Sequence, residues 1–216
     1  MIPAKEPFLF VAASYLVRIR SERATTLSEL GQHLETVPEG SIFFHTFQSL
    51  ESHHYTVFSN DFAHWAMAAC NEARMAERLA AVDLRDFVSL EQLRQSLVAV
   101  VREELERNHP AANRLAFEPF YFCEAIEISI PLGIQANNLA ELAEGIGRMS
   151  LETLHYHVIN SRLRLRLQTN DFSYWMDTSL GLPRLAQQVN RIDFYTNTLE
   201  GVRQEILKTL TPWMEQ

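Results

Sequence analysis

The hexapeptide NDFAHW at residues 60–65 is written again as NDFSYW at residues 170–175. Sliding the chain along itself by about 112 residues extends the match outward from this pair. EPFLF (6–10) falls on EPFYF (118–122), TLSEL (26–30) on NLAEL (138–142), and Ile42-Phe43-Phe44-His45 on Leu154-His155-Tyr156-His157. Downstream, Val82-Asp83 meets Ile192-Asp193, and LEQLRQ (90–95) meets LEGVRQ (199–204). Blocks that keep their order with so few gaps read as a tandem duplication. The expected boundaries are 1–110 for the first copy and 111–216 for the second, with the HPAAN stretch (109–113) as the joint.

Both copies have the same coarse pattern. Phe122, Glu124, Ile126, Ile128 and Ile130 alternate with Cys123, Ala125, Glu127 and Ser129, the period of two that marks a strand. Helices are expected at 26–36 and 138–147, at 40–50 and 151–165, and from Asn60 and Asn170 onward. Each copy closes with two more, near 73–82 with 89–108 and near 183–191 with 197–214. Asn is a strong N-cap, and Asp in the first turn complements the positive helix end. Phe and Trp three apart then share one face and enter the core. The predicted fold class is α+β and predominantly α-helical, a strand-plus-helices unit duplicated in tandem and packed about a pseudo-twofold axis. A lone strand needs a partner for its backbone hydrogen bonds, and the other copy's strand is the nearest candidate.

Composition narrows the function classes. The chain is 47% hydrophobic and 21% charged, so it can build a core and is not a disordered chain. Its formal charge is −8, and the acidity is even: residues 1–112 hold 10 basic and 15 acidic side chains, the remainder 9 and 12. That field disfavours nucleic acid and anionic membranes. Two cysteines, Cys70 and Cys123, in no paired spacing, exclude a disulfide framework and fit a cytoplasmic setting. FLFVAASYLV (8–17) has the look of a signal core. It lacks the preceding positive charge and has a mid-chain counterpart at 117–130, so it reads as mature structure. No apolar run approaches the roughly 18 residues of a membrane helix.

The repeat sorts the candidate site residues. His45 and His157 occur in both copies. If they met near a twofold axis, they would join Asp61 and Asp171 in a mixed nitrogen–oxygen set able to hold a divalent metal. The competing reading makes them buried histidines bonded within each unit. Residues without a counterpart are the better candidates for ligand binding: His53, His54 and Tyr55 in the first copy, Arg162 and Arg166 in the second. Placed on a helix, Arg162 and Arg166 would share a face and could clamp a phosphate or carboxylate. Glu51 with His54 and Glu152 with His155 have the Glu-x-x-His spacing of di-iron bundles, but they fall at non-equivalent places, and the symmetric logic of such sites fails. There is no glycine-rich phosphate loop, no GxSxG and no HExxH.

The His-bearing helix followed by NDF-x-x-W, written twice, with the closing LEGVRQEI, resembles an uncharacterised bacterial family classed as a domain of unknown function. The resemblance spans nearly the whole chain. It implies a bacterial, stand-alone, cytoplasmic protein and transfers no site. The expected function is therefore a non-enzymatic binding or regulatory module without a cofactor, acting on a protein or small-molecule partner. The alternative is a metal-dependent enzyme acting on a small anionic substrate at His45, His157, Asp61 and Asp171.

Overall fold

In the computed structural model, which describes residues 3–48, 58–194 and 197–214, the two predicted strands are long. Strand β1 spans Phe8–Ala24 and β2 spans Phe120–Ala136, and they pair as one two-stranded antiparallel sheet. The remaining elements are helical, so the fold is mixed α+β and predominantly α. β2 runs six residues past the predicted alternation, through Pro131 and Gly133. Gly133 has φ +69°, a left-handed conformation that glycine reaches without steric penalty.

After β1 come α1 (Leu27–Thr36), α2 (Glu39–Phe43) with a π-helical turn at Phe44–Gln48, α3 (Asp61–Ala68), α4 (Ala73–Ala80), α5 (Leu90–Arg107) and α6 (His109–Ala112). After β2 come α7 (Leu139–Arg148), α8 (Leu151–His155) with a π-helical turn at Tyr156–Asn160, and α9 (Ser161–Arg164). α10 (Asp171–Thr178), α11 (Pro183–Asn190) and α12 (Leu199–Met214) complete the chain. The caps explain the helix starts. Asn60 accepts from the Ala63 amide and Asn170 from the Ser173 amide, each at 2.9 Å. Thr26 and Asn138 do the same for α1 and α7, where Glu29 and Glu141 reach back to the amides of Thr25 and Asn137, a reciprocal capping box.

The chain divides into two compact units interleaved in sequence. The contiguous unit is residues 16–126; the split unit is residues 1–15 together with 127–216. In the contiguous unit α1 packs on α5, and Leu27, Leu30, Leu34, Phe43, Phe62, Leu93 and Leu97 are fully buried. In the split unit α7 packs on α12, and Leu142, Ile146, Phe172, Ile206 and Leu210 fill the core.

Each unit is closed by the strand start from the other half of the sequence. In the split unit Phe8 and Phe10 of β1 are 5% and 3% exposed, and the Phe8 ring lies 5.3 Å from Phe172. Trp175 Nε1 donates to the Glu6 carbonyl at 2.7 Å. In the contiguous unit Phe120 and Phe122 of β2 are buried, Phe120 lies 5.3 Å from Phe62, and Trp65 Nε1 donates to the Glu118 carbonyl at 2.7 Å. The repeated EPF-x-F and NDF-x-x-W segments therefore meet side chain to backbone, once in each unit.

Candidate functional site

His45 sits in the π-helical turn after α2, a widened turn that aims its ring at the start of α3. Its Nδ1 lies 2.7 Å from Asp61 Oδ2, and its Nε2 accepts the Cys123 amide of β2 at 2.8 Å. An acceptor at Nε2 places the ring proton on Nδ1, which donates to the carboxylate. Phe62 and Phe120 flank the ring at 5.4 and 4.7 Å, and the residue is 3% exposed. His157 repeats the arrangement in the split unit. Its Nδ1 is 2.8 Å from Asp171 Oδ2, its Nε2 accepts the Val11 amide of β1 at 3.1 Å, and Phe8 and Phe172 flank it.

Carboxylate-oriented imidazole is the geometry of a general base, but a base must present its second nitrogen to a substrate proton. Here that nitrogen is committed to a strand amide in both units. The same commitment withholds the lone pair that a metal would need. The histidines pair separately, His45 with Asp61 and His157 with Asp171. Among the described residues no group of three or more His, Cys, Asp or Glu side chains is arranged to hold a metal ion. Each imidazole instead ties a helical turn, a helix start and a strand together.

Beside His45 lies a cavity of about 560 Å³, lined by Phe44, Asp61, Trp65, Phe117, Tyr121 and Cys123 among others. Its walls are largely aromatic, with two carboxylates, Asp61 at the N-terminus of α3 and Glu118. Cys123 is half-buried and its thiol points to the Tyr121 carbonyl at 3.5 Å. Burial and then the Asp61 charge push that thiol above its ordinary value, the reverse of what an activated nucleophile needs.

The corresponding corner of the split unit is filled by charge. Arg164, the last residue of α9, donates from Nη2 to Asp171 Oδ2 at 2.8 Å. Its guanidinium lies 4.7 Å over the Tyr156 ring and reaches Glu127 at 4.0 Å. Burial raises the Glu127 carboxyl, with Arg164 pulling it down and Asp171 pushing it up. Burial also disfavours the Arg164 cation, but Asp171, Tyr156 and Glu127 outweigh that and hold it charged.

Arg162 and Arg166 do not share a helix face, because α9 ends at Arg164 and Arg166 has φ 52°. Arg162 bonds Asn190 Oδ1 at 3.2 Å and stacks 4.6 Å over Phe194, while Arg166 is exposed. His53, His54 and Tyr55 lie outside the described residues. Sequence reading missed Arg164, the middle residue of an evenly spaced arginine run. Only the contrast between Tyr156 and Phe44, at matched positions beside the matched histidines, hinted that this corner differs between the copies.

With this geometry in hand, the comparisons with known proteins identify the class. The chain belongs to the family of unknown function DUF5752, whose model matches residues 5–211. It is similar to OrfY from Thermoproteus tenax, a solved structure 28% identical in sequence, with a TM-score of 0.85 over 99% of this chain and 98% of that one. No curated protein matches. No helix among the described residues is long and apolar enough to cross a membrane.

Proposed function

We propose that this chain is a non-enzymatic binding module of a bacterial cytoplasm, built as one strand-plus-helices unit duplicated about a pseudo-twofold axis. The copies are 1–110 and 111–216, and the ligand is held in the cavity beside His45. The aromatic lining of that cavity, with the Asp61 and Glu118 carboxylates, carries the reading. Such walls supply apolar contact and a few polar groups, the usual composition of a small-ligand pocket. Reactive groups are poorly poised for turnover there: the imidazole is committed on both nitrogens and the thiol is held protonated. The test is a thermal-shift panel of metabolite classes on wild-type protein and on Ala68→Trp, which plugs the cavity from α3. At least one class should stabilise the wild type and fail to stabilise the plugged variant. Stabilisation that survives the plug, or a panel compound consumed catalytically, refutes it.

A further inference from the structure

We infer that the exposed aliphatic row of β2 in the split unit is the surface on which a second copy of this chain docks, β2 packing on β2 across a twofold axis. Ile128, Ile130, Leu132 and Ile134 stand at every second position of the strand and are 40–56% exposed. The pleat puts side chains two apart on one face, so Ile128, Ile130 and Leu132 form a row. Leu132 and Ile134 then line a groove of about 370 Å³, with Phe10, Met149 and Gly145 of α7 as the rest of its apolar wall.

The fold does not require these positions to be apolar. Under the shift of 112 residues that aligns the two halves, Ile130, Leu132 and Ile134 fall on Arg18, Arg20 and Glu22 of β1, and only Ile128 meets another aliphatic residue, Leu16. In the contiguous unit Arg18 and Arg20 both donate to Glu124, and Arg20 donates to Glu22 at 2.9 Å, as suits a strand face left to water. One strand meets solvent with ion pairs and the other with aliphatic carbon, the mark of a surface made for a partner.

Charge and area identify that partner. Residues 128–140 hold no charged side chain in a chain of net charge −8, so two copies approach along this strip without the repulsion that opposes them elsewhere. At the groove Glu144 and Arg148 pair with each other at 2.9 Å and Glu141 is turned to the α7 cap, so no cation is left over to draw an acidic partner or an anionic lipid surface. The row is aliphatic like a core cut in two, the character of homodimer interfaces. Its four side chains offer roughly 350 Å² of apolar surface. Along a row about 20 Å long, that is enough to seed the roughly 800 Å² per partner of a stable dimer. Pro131 has no N–H to donate and Gly133 turns to φ +69°, which spoils the strand edge as a template, so the copies meet face to face. A twofold makes such a row its own complement.

Sedimentation and light scattering of the full chain across the micromolar range test this. The wild type should be a dimer there. Ile130→Arg combined with Leu132→Arg, the residues that the other strand already carries, should raise the dimer dissociation constant about a hundredfold or more and leave the circular dichroism spectrum unchanged. Val88→Arg, at an exposed position of the contiguous unit, should leave the dimer intact. In the wild type, hydrogen exchange over residues 128–136 should slow as concentration rises into the dimer range, a readout that stands even where the arginine variant fails to fold. A wild type that stays monomeric overturns the inference, and its binding to neutral phospholipid vesicles would assign the row to lipid instead. A dimer that survives both arginines, as a strand-exchanged one would, or one with unchanged exchange at 128–136, also overturns it.

Discussion

Replacing His157 by alanine removes three things at once, and the structure sets the size of each. The ring is 2% exposed and flanked by Phe8, Phe172 and Tyr156, so its loss leaves a cavity in the split-unit core. The Val11 amide loses its acceptor; an orphaned N–H costs about 1–3 kcal/mol when fully buried and less at this half-buried position. Large-to-alanine changes in cores cost about 2–5 kcal/mol. The two overlap, because the cavity can admit water to the orphaned amide. A total of about 3–5 kcal/mol is expected, a large share of the roughly 5–15 kcal/mol that a domain commands. Asp171→Asn is the contrast. It keeps an oxygen for the imidazole and loses only charge assistance and a partly exposed ion pair with Arg164, about 1 kcal/mol. The assay is urea unfolding followed by tryptophan fluorescence in a Trp65→Phe background, where Trp175 and Trp213 report the split unit. His157→Gln, able to keep one of the two bonds, should fall between. A His157→Ala loss below about 1 kcal/mol, or one equal to Asp171→Asn, would refute the view of the ring as a two-ended connector.

Three further expectations follow from other parts of the molecule. A β-carbon on Gly145 of α7 would enter the Phe10 ring, so Gly145→Ala should destabilise by about 2–3 kcal/mol, with partial recovery on adding Phe10→Leu, both read by thermal melts. Burial drives the Cys70 thiol up to about 12, so at pH 8 it should react with a soluble disulfide reagent roughly a thousandfold more slowly than a free thiol. Cys123 should also be slow but react first, and a fast burst at Cys123 would overturn the view that burial and Asp61 raise its thiol. The Glu104 carboxyl is buried, which opposes its charge, yet the hydrogen bond from Arg78 and the charge of Arg74 hold it below its ordinary value. Its stabilising share is therefore present above the unfolded-state value and lost as pH falls through the lower folded one. Arg78→Met should cost about 1–2 kcal/mol at pH 7 and flatten the acid limb of the stability profile.

The sequence spoke clearly where structure is local. Asn60 and Asn170 cap their helices, and Phe62, Trp65, Phe172 and Trp175 are buried, because caps and i,i+3 faces need only neighbouring residues. The π-helical turns left no mark, since one extra residue in a turn changes phase without changing composition. The histidines and aspartates were named together, but as one metal set rather than as two separate pairs, and the strand amides that complete each ring, 78 and 146 residues away, were not foreseen. Backbone groups carry no letter in a sequence. The arginine run was read with a helical ruler beyond the point where the helix stops, which selected Arg162 and Arg166 over Arg164.

The interleaving of the two units has a consequence for how the chain is made. The contiguous unit has every residue it needs once position 126 has left the ribosome, while the split unit waits for about 90 more. At roughly 5–20 residues per second that delay lasts about 5–20 seconds. Throughout it the segment Phe8-Leu9-Phe10 stays a bare apolar strand, its docking helices not yet synthesised. Neighbouring nascent chains on one message carry the same strand and, a little later, the same acceptor. Slow translation or a stall in the second half would favour exchange between chains, so that synonymous codon changes alone should alter the yield of strand-exchanged chains.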